Sequence, residues 1–282
     1  MIRSRKQKIG FMLMKFFPLL PSNIVIKKDI PYNTTVGRIY CLRAREAIGE
    51  VATYDKKEIA TGVQKWWLKN IIYLIFIGAI LFLASGKPSW LMAWVYLASV
   101  VVVLIVNAIM LDPKLLLERS GLQTGTKKWD VVLASLVAVW GPLFVFLVAG
   151  LDNRLGWSKL NWLTLEFGAI VFFVLGSLMT TRAMVSNEFF SATVRIQTER
   201  NHTVVTKGPY QYVRHPGYAG AIIAMLMTPL ALGSWVALIP SIMVACGYVV
   251  RTCLEDRVLR EELEGYQHYA SEVRYRLLPW VW

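Results

Sequence analysis

Ionisable side chains are scarce in this chain, and those able to do chemistry gather in two stretches. The first is Asn187–Tyr218, NEFFSATVRIQTERNHTVVTKGPYQYVRHPGY, and the second is Arg251–Trp282, RTCLEDRVLREELEGYQHYASEVRYRLLPWVW. A carboxylate such as Glu255 accepts hydrogen bonds from an ammonium or from sugar hydroxyls, while Arg or His holds a carboxylate. Tyr210 and Tyr218 offer ring faces to a nucleobase or a cation. Together these groups suit a zwitterionic small molecule that carries an aromatic ring. Arg251 precedes Glu255 by four residues, so on one helix both lie on the same face, one turn apart. Glu255 is then placed for the polar end of such a ligand, and Arg251, one turn deeper, for a second molecule with an anionic group. Each residue also has a plainer reading. Arg-His-Pro ahead of a helix can anchor an interface with Pro in the first turn, Glu255–Glu264 can be a solvated helix face, and Arg251 can snorkel to headgroups. Their joint placement favours a site.

Motifs of soluble enzymes are missing from the sequence. There is no GxGxxG, no GxxxxGK[ST], no HExxH and no GxSxG. Three histidines (His202, His215, His268) leave little room for a His-based metal site. Three cysteines (Cys41, Cys246, Cys253) with no CxxC encode neither a disulfide framework nor a zinc knuckle. The expectation is no metal.

The elements that must position these residues are set by composition. Of 282 residues, 56 % are apolar and 17 % charged, against about 45–50 % and about 25 % in soluble domains, and the mean hydropathy is +0.47. The net charge of +13 does not indicate nucleic acid, because the charges avoid the apolar runs and cluster between them. A spanning helix needs about 20 mainly apolar residues. Six stretches qualify, near Trp66–Ser85, Trp90–Leu111, Asp130–Gly150, Asn161–Thr181, Tyr218–Leu232 and Trp235–Leu254. The fold expected is all-α: a multi-pass membrane bundle of about six spans, closed by a C-terminal helical hairpin beside a cytoplasmic pocket. The fifth span is short, contains Pro229, and is separated from the sixth by Gly233-Ser234. That hairpin returns both its ends to one face, so Arg214, His215 and Tyr218 should stand opposite Arg251, Glu255 and Asp256. Tryptophans at span edges (Trp66, Trp67, Trp90, Trp129, Trp157, Trp162, Trp235) suggest an interfacial belt, and Trp140, mid-span, suggests packing. All but three of the 31 Lys and Arg residues (Lys87, Arg154 and Lys159) fall on the side that holds both termini. The positive-inside rule makes that side cytoplasmic. Residues 1–64 read as a basic and polar extension, with Phe11–Leu20 too short to span and suited to an interfacial helix. Residues 65–282 read as the functional domain, with the ligand site mainly in 187–282.

The two polar stretches resemble the isoprenylcysteine carboxyl methyltransferase family and its prokaryotic relatives. The matching residues are Gly208-Pro209-Tyr210, Tyr212-Val213-Arg214-His215-Pro216-Gly217-Tyr218, Arg251, Glu255-Asp256, Tyr266, Tyr269 and Pro279, with Val194–Gln197 and His202–Val205 upstream. More loosely, Asp112-Pro113, Glu118-Arg119 and Thr126–Asp130 look like the prokaryotic relatives. The resemblance implies a helical membrane fold enclosing S-adenosylmethionine, a molecule with all the handles described above. By position, Gln197, His202, Thr203, Val204, Val205, Tyr210, His215, Pro216, Gly217, Tyr218 and Glu255 would line the cofactor, and Arg251 would face a lipophilic methyl acceptor, prenylated or phospholipid. The Gln197 match needs a two-residue gap. Glu255-Asp256 stands where the family often has Glu-Glu, and Leu263–Tyr266 is one residue shorter than the usual turn.

Two other functions compete. The extreme C-terminus, Tyr266 through Trp280, also looks like the sterol and steroid reductases, which use a nicotinamide cofactor. Those enzymes carry Asn where this chain has Gly217 and lack the preceding Pro, so Pro216 and Glu255 favour the methyltransferase. A transporter normally shows charged or broken helices at mid-membrane. Here Glu166, near one end, is the sole acidic residue well inside a span.

Overall fold

The computed structural model describes residues 55–158 and 162–282. The Phe11–Leu20 segment, and most of the extension to which it belongs, lies outside the described residues. The described part consists of helices and irregular connections, with no strand among the described residues. In chain order it comprises α1 (Lys56–Ser85), α2 (Leu91–Met110), α3 (Pro113–Glu118), α4 (Lys128–Ser135), α5 (Gly141–Leu155), α6 (Leu163–Ser186), α7 (Pro216–Ala231), α8 (Leu238–Glu262) and α9 (Tyr266–Glu272). A π-helical turn, Leu136–Trp140, joins α4 to α5, and 3₁₀ turns occupy Thr198–Arg200 and Gly208–Gln211.

Several boundaries have a local cause. Glu58 accepts from the Asp55 N–H (3.2 Å) at the start of α1, and Gly86, at φ +63°, ends it in the left-handed conformation glycine tolerates. Asp112 accepts from the Lys114 N–H (2.8 Å) ahead of Pro113, a capped start with Pro at the first position. Pro142 explains the π turn. It has no N–H to give, and its ring would collide with the preceding carbonyls of a regular helix, so the chain widens by one residue just before it.

Among the described residues five helices are long and apolar enough to cross a membrane: Lys56–Ser85, Leu91–Met110, the joined Lys128–Leu155, Leu163–Ser186 and Leu238–Glu262. The sixth expected span, α7, has 16 residues, or about 24 Å at 1.5 Å per residue. The chain just past its C-terminal end is tied to the end of α5. There the Trp235 N–H donates to Ser158 Oγ (2.9 Å), and Ser234 and Ser158 both donate to Asp152 at the end of α5. The outer surfaces of the long helices are apolar, with Leu83, Ile109 and Met243 all projecting outward. A bundle turned apolar side out is what lipid requires.

Differences from the expected spans are informative. α1 begins ten residues before Trp66, and that tryptophan is buried with Leu111, Leu115 and Leu116 instead of joining a belt. Trp90 is buried as well, in the main core around Leu81, Ala93, Tyr96, Val145 and Phe146. Trp140 does the reverse. At 64 % exposed it faces outward from the π turn, so packing does not account for it. α8 continues past Leu254 to Glu262, so Arg251, Glu255 and Asp256 share one unbroken helix.

α6 and α7 make the most extensive helix–helix contact. A Cβ at Gly176 would stand 2.8 Å from the Gly220 carbonyl and 2.9 Å from the Ala224 nitrogen, so only glycine permits this approach. The close crossing sets where α7 starts, and hence where His215 and Tyr218 point.

Candidate functional site

Three bidentate ion pairs hold together the end of the bundle where α3, α4, α7 and α8 meet. Arg214, just before α7, donates through Nε and Nη2 to Asp256 of α8 (2.7 and 3.1 Å). Arg251 of α8 donates in the same way to Asp130 of α4 (2.7 and 2.9 Å). Arg195, in the 187–215 connection, does so to Glu118 of α3 (2.9 and 3.1 Å). All six side chains are buried. A buried charge left alone is costly, so each fork-to-carboxylate match pins two segments in one register.

The hairpin expectation is met residue by residue. Arg214 and His215 stand opposite Asp256, with His215 Nε2 3.4 Å from its carboxylate. Tyr218 donates to Glu255, and the Arg251 guanidinium covers the Tyr218 ring at 5.2 Å. The C-terminal tail closes the arrangement. Arg214 Nη1 donates to the Val273 and Arg274 carbonyls (both 2.8 Å), and Tyr269 donates to the Tyr210 carbonyl (2.7 Å). Burial pushes the Tyr210 and Tyr269 phenols above their ordinary range, and those of Tyr266 still further with the Asp256 charge beside it. They remain protonated donors.

Between these elements lies a cavity of about 790 Å³ including its mouth. His202, Thr203, Val204, Val205, Tyr210, His215, Gly217, Tyr218, Arg251 and Glu255 all line it. Two residues expected there do not. Gln197 is fully buried because its amide is used up inside its own loop: Nε2 donates to the Phe189 carbonyl (2.7 Å) and Oε1 accepts from Arg200 (2.7 Å). Pro216 is fully buried at the first position of α7, behind the wall. Arg251 does not snorkel: it is 5 % exposed and held by Asp130 and the Ala192 carbonyl (2.8 Å). Its Nη1 has no hydrogen-bond partner among the described residues.

Asn187, Phe189, Phe190, Tyr266 and Tyr269 add to the wall beyond the residues expected to line it, although Tyr266 and Tyr269 carry part of the resemblance. Asp130 supports it from behind, accepting the Val194 N–H (2.6 Å) as well as Arg251. Gly217 is needed for space, since a Cβ there would stand 2.7 Å from the Phe190 ring. Among the described residues no cluster of His, Cys, Asp and Glu could hold a metal ion.

His202 gives the site a pH dependence. Its ring stacks on Phe189 (centroids 4.4 Å apart), and its Nδ1 accepts from the Gln197 N–H (3.3 Å), so the ring is neutral with its proton on Nε2. Burial, reinforced by Arg195 and Arg200 against a smaller opposing effect of Glu199, pushes its pKa from 6.5 down to about 4. Between those values the unfolded chain takes up a proton that the folded protein does not. Stability from this group is therefore complete above about pH 6.5 and lost as pH falls towards 4. The melting temperature of the parent in detergent should fall over that window more than that of His202→Gln. Parallel curves for the two proteins would show that another group titrates.

Comparison with known proteins bears on this region. Residues 169–261 match the isoprenylcysteine carboxyl methyltransferase (ICMT) family model. The chain is 33 % identical over 111 residues to protein-S-isoprenylcysteine O-methyltransferase of Schizosaccharomyces pombe, covering 38 % of this chain and 47 % of the relative. It is 29 % identical over 115 residues to protein-S-isoprenylcysteine O-methyltransferase B of Arabidopsis thaliana (40 % and 53 %), and 25 % identical over 118 residues to form A of that plant (41 % and 59 %). The chain thus matches about half the length of these curated relatives. The matches support the ICMT family, and the family-model match covers most of α6, all of α7, nearly all of α8 and the loop before α7, which together build most of the cavity wall.

Proposed function

From that family match we propose that the protein is an integral membrane S-adenosylmethionine-dependent methyltransferase that methylates the carboxylate of a lipophilic acceptor, a prenylated cysteine being the acceptor class the relatives' names indicate. The observation that carries this reading is the cavity itself: the α8 face lining it offers the Glu255 carboxylate and, one helical turn away, the Arg251 guanidinium, with the Tyr218 ring beside both. That donor set fits a sulfonium-bearing nucleoside. Glu255 and Tyr218 would hold its polar groups, Tyr210 and Phe189 its ring system, and His202–Val205 its flank. When bound, the cofactor supplies a methyl carbon on sulfonium sulfur; the acceptor oxygen forms the new C–O bond as the S–CH₃ bond breaks with its electron pair going to sulfur.

A carboxylate is already ionised at neutral pH, so none of these residues has to remove a proton. What remains for them is alignment and exclusion of water. The buried pairs at Asp130, Glu118 and Asp256 provide the first by fixing the wall, and the tail packed over Tyr210 provides the second. By the charge asymmetry of the loops, the end carrying the cavity and the C-terminal tail is cytoplasmic.

Calorimetric titration of the detergent-purified protein tests this reading. S-adenosylhomocysteine should bind, and NADPH, the cofactor of the reductase alternative, should not. Binding of NADPH alone would overturn the assignment. Glu255→Gln keeps the size of the side chain and an acceptor for Tyr218 but removes a charge-assisted hydrogen bond worth about 1.5–3 kcal/mol. Affinity for S-adenosylhomocysteine should then drop by about 10- to 150-fold. An unchanged affinity would make Glu255 an ordinary helix residue.

A further inference from the structure

The guanidiniums around the cavity are not equivalent. Arg195, Arg214 and Arg251 line it, and each spends its charge on a buried carboxylate in a bidentate pair. Arg119, following α3, stands beside the same wall without such a partner. Its Nη1 donates to the Ser191 carbonyl (3.3 Å), and its guanidinium covers the Phe190 ring at 5.2 Å. Ser191 and Phe190 both line the cavity. Arg119 forms no salt bridge among the described residues. Its neighbour Glu118 is occupied by Arg195.

We propose that Arg119 is the acceptor-binding residue of this site: a half-buried guanidinium with no ion-pair partner among the described residues, which receives the anionic carboxylate of the lipophilic acceptor beside Phe190 and Arg251. This rests on the methyltransferase reading and names a residue outside the family-matched segment. The physical reason is charge balance. A guanidinium drawn out of water and left without a counter-ion is costly, and the acceptor brings the missing anion. Burial and the nearby Arg251 charge lower the Arg119 pKa only to about 10, so it stays cationic at neutral pH. The arrangement also has a kinetic sense. The carboxylate's charge is consumed as the ester forms, so Arg119 grips the substrate more strongly than the neutral product. An interaction that weakens along the reaction lowers KM without raising kcat.

The test compares an S-farnesyl-N-acylcysteine with its methyl ester, both titrated into the full-length protein in one detergent. The parent should bind the acid at least tenfold more tightly than the ester. Arg119→Gln should erase that preference while binding S-adenosylhomocysteine within twofold of the parent, and Arg119→Lys should keep part of the preference. In turnover, Arg119→Gln should raise the acceptor KM at least tenfold without lowering kcat. Equal binding of acid and ester by the parent, as expected for an arginine paired with lipid phosphate, overturns the inference. So does an Arg119→Gln protein that keeps the preference, or one that loses S-adenosylhomocysteine binding together with it. Methyl transfer is scored separately. A parent that prefers the acid but transfers no methyl group disproves the enzymatic reading and leaves the anion site standing.

Discussion

Arg251→Met is expected to lower acceptor methylation at least 100-fold and to destabilise the protein by about 3–5 kcal/mol, the cost of leaving one member of a buried ion pair alone. The stranded member is Asp130, fully buried and held by Arg251 at 2.7 and 2.9 Å. Stability and chemistry can be separated with the double variant Asp130→Asn/Arg251→Met. It removes both charges, and the Asn carbonyl can still accept the Val194 N–H. Thermal unfolding should return close to the parent and S-adenosylhomocysteine should bind, while methyl transfer stays lost because the Arg251 guanidinium is gone. Recovery of turnover in the double variant would reduce Arg251 to a staple between α8 and α4.

Asp256→Asn should have the widest structural effect. Its two oxygens accept from Arg214, Arg260 and Arg276 and from the Tyr266 hydroxyl (3.0 Å), with His215 at 3.4 Å. Neutralising it leaves the buried Arg214 without its counter-ion, again about 3–5 kcal/mol. Arg214 also carries the tail: besides its side-chain bonds, its N–H donates to the Tyr275 carbonyl, and the His215 N–H to that of Arg276 (both 2.9 Å). The expected result is rapid tryptic cleavage at Arg274 and Arg276, together with loss of S-adenosylhomocysteine binding. Arg257→Gln, at an exposed position on the same helix, should do neither. A protease-resistant tail with intact cofactor binding in Asp256→Asn would show that the remaining contacts suffice.

These two predictions differ in how far they could be read from residues alone. The pairing of Arg214 with Asp256 follows from local information: two apolar runs with a Gly233-Ser234 turn form a hairpin, and a hairpin returns its ends together. The placement of Tyr218 against Glu255 has the same origin. The helix periodicity that puts Arg251 and Glu255 on one face needs only a continuous α8. The partner of Arg251 needed more. Asp130 lies 121 positions away, and the sequence marks it as an acidic residue at the start of a span and as part of the looser resemblance, with nothing that pairs it with Arg251.

Apolar run length, charge asymmetry and the two polar stretches therefore determined the helical membrane architecture, the C-terminal hairpin and most of the cavity wall. Their signals act between neighbours in the chain, where the geometry of a helix or a tight turn leaves few choices. Only the tertiary structure decided which buried charges neutralise one another. It turned Gln197 into a loop staple, buried Trp66 and Trp90, set Pro216 behind the wall and committed Arg251 to Asp130. A charge in a low-dielectric interior takes whichever opposite charge the packing brings within reach, and the close crossing of α6 over α7 at Gly176 and Gly220 helps set that packing, with no mark in the local pattern of any one residue.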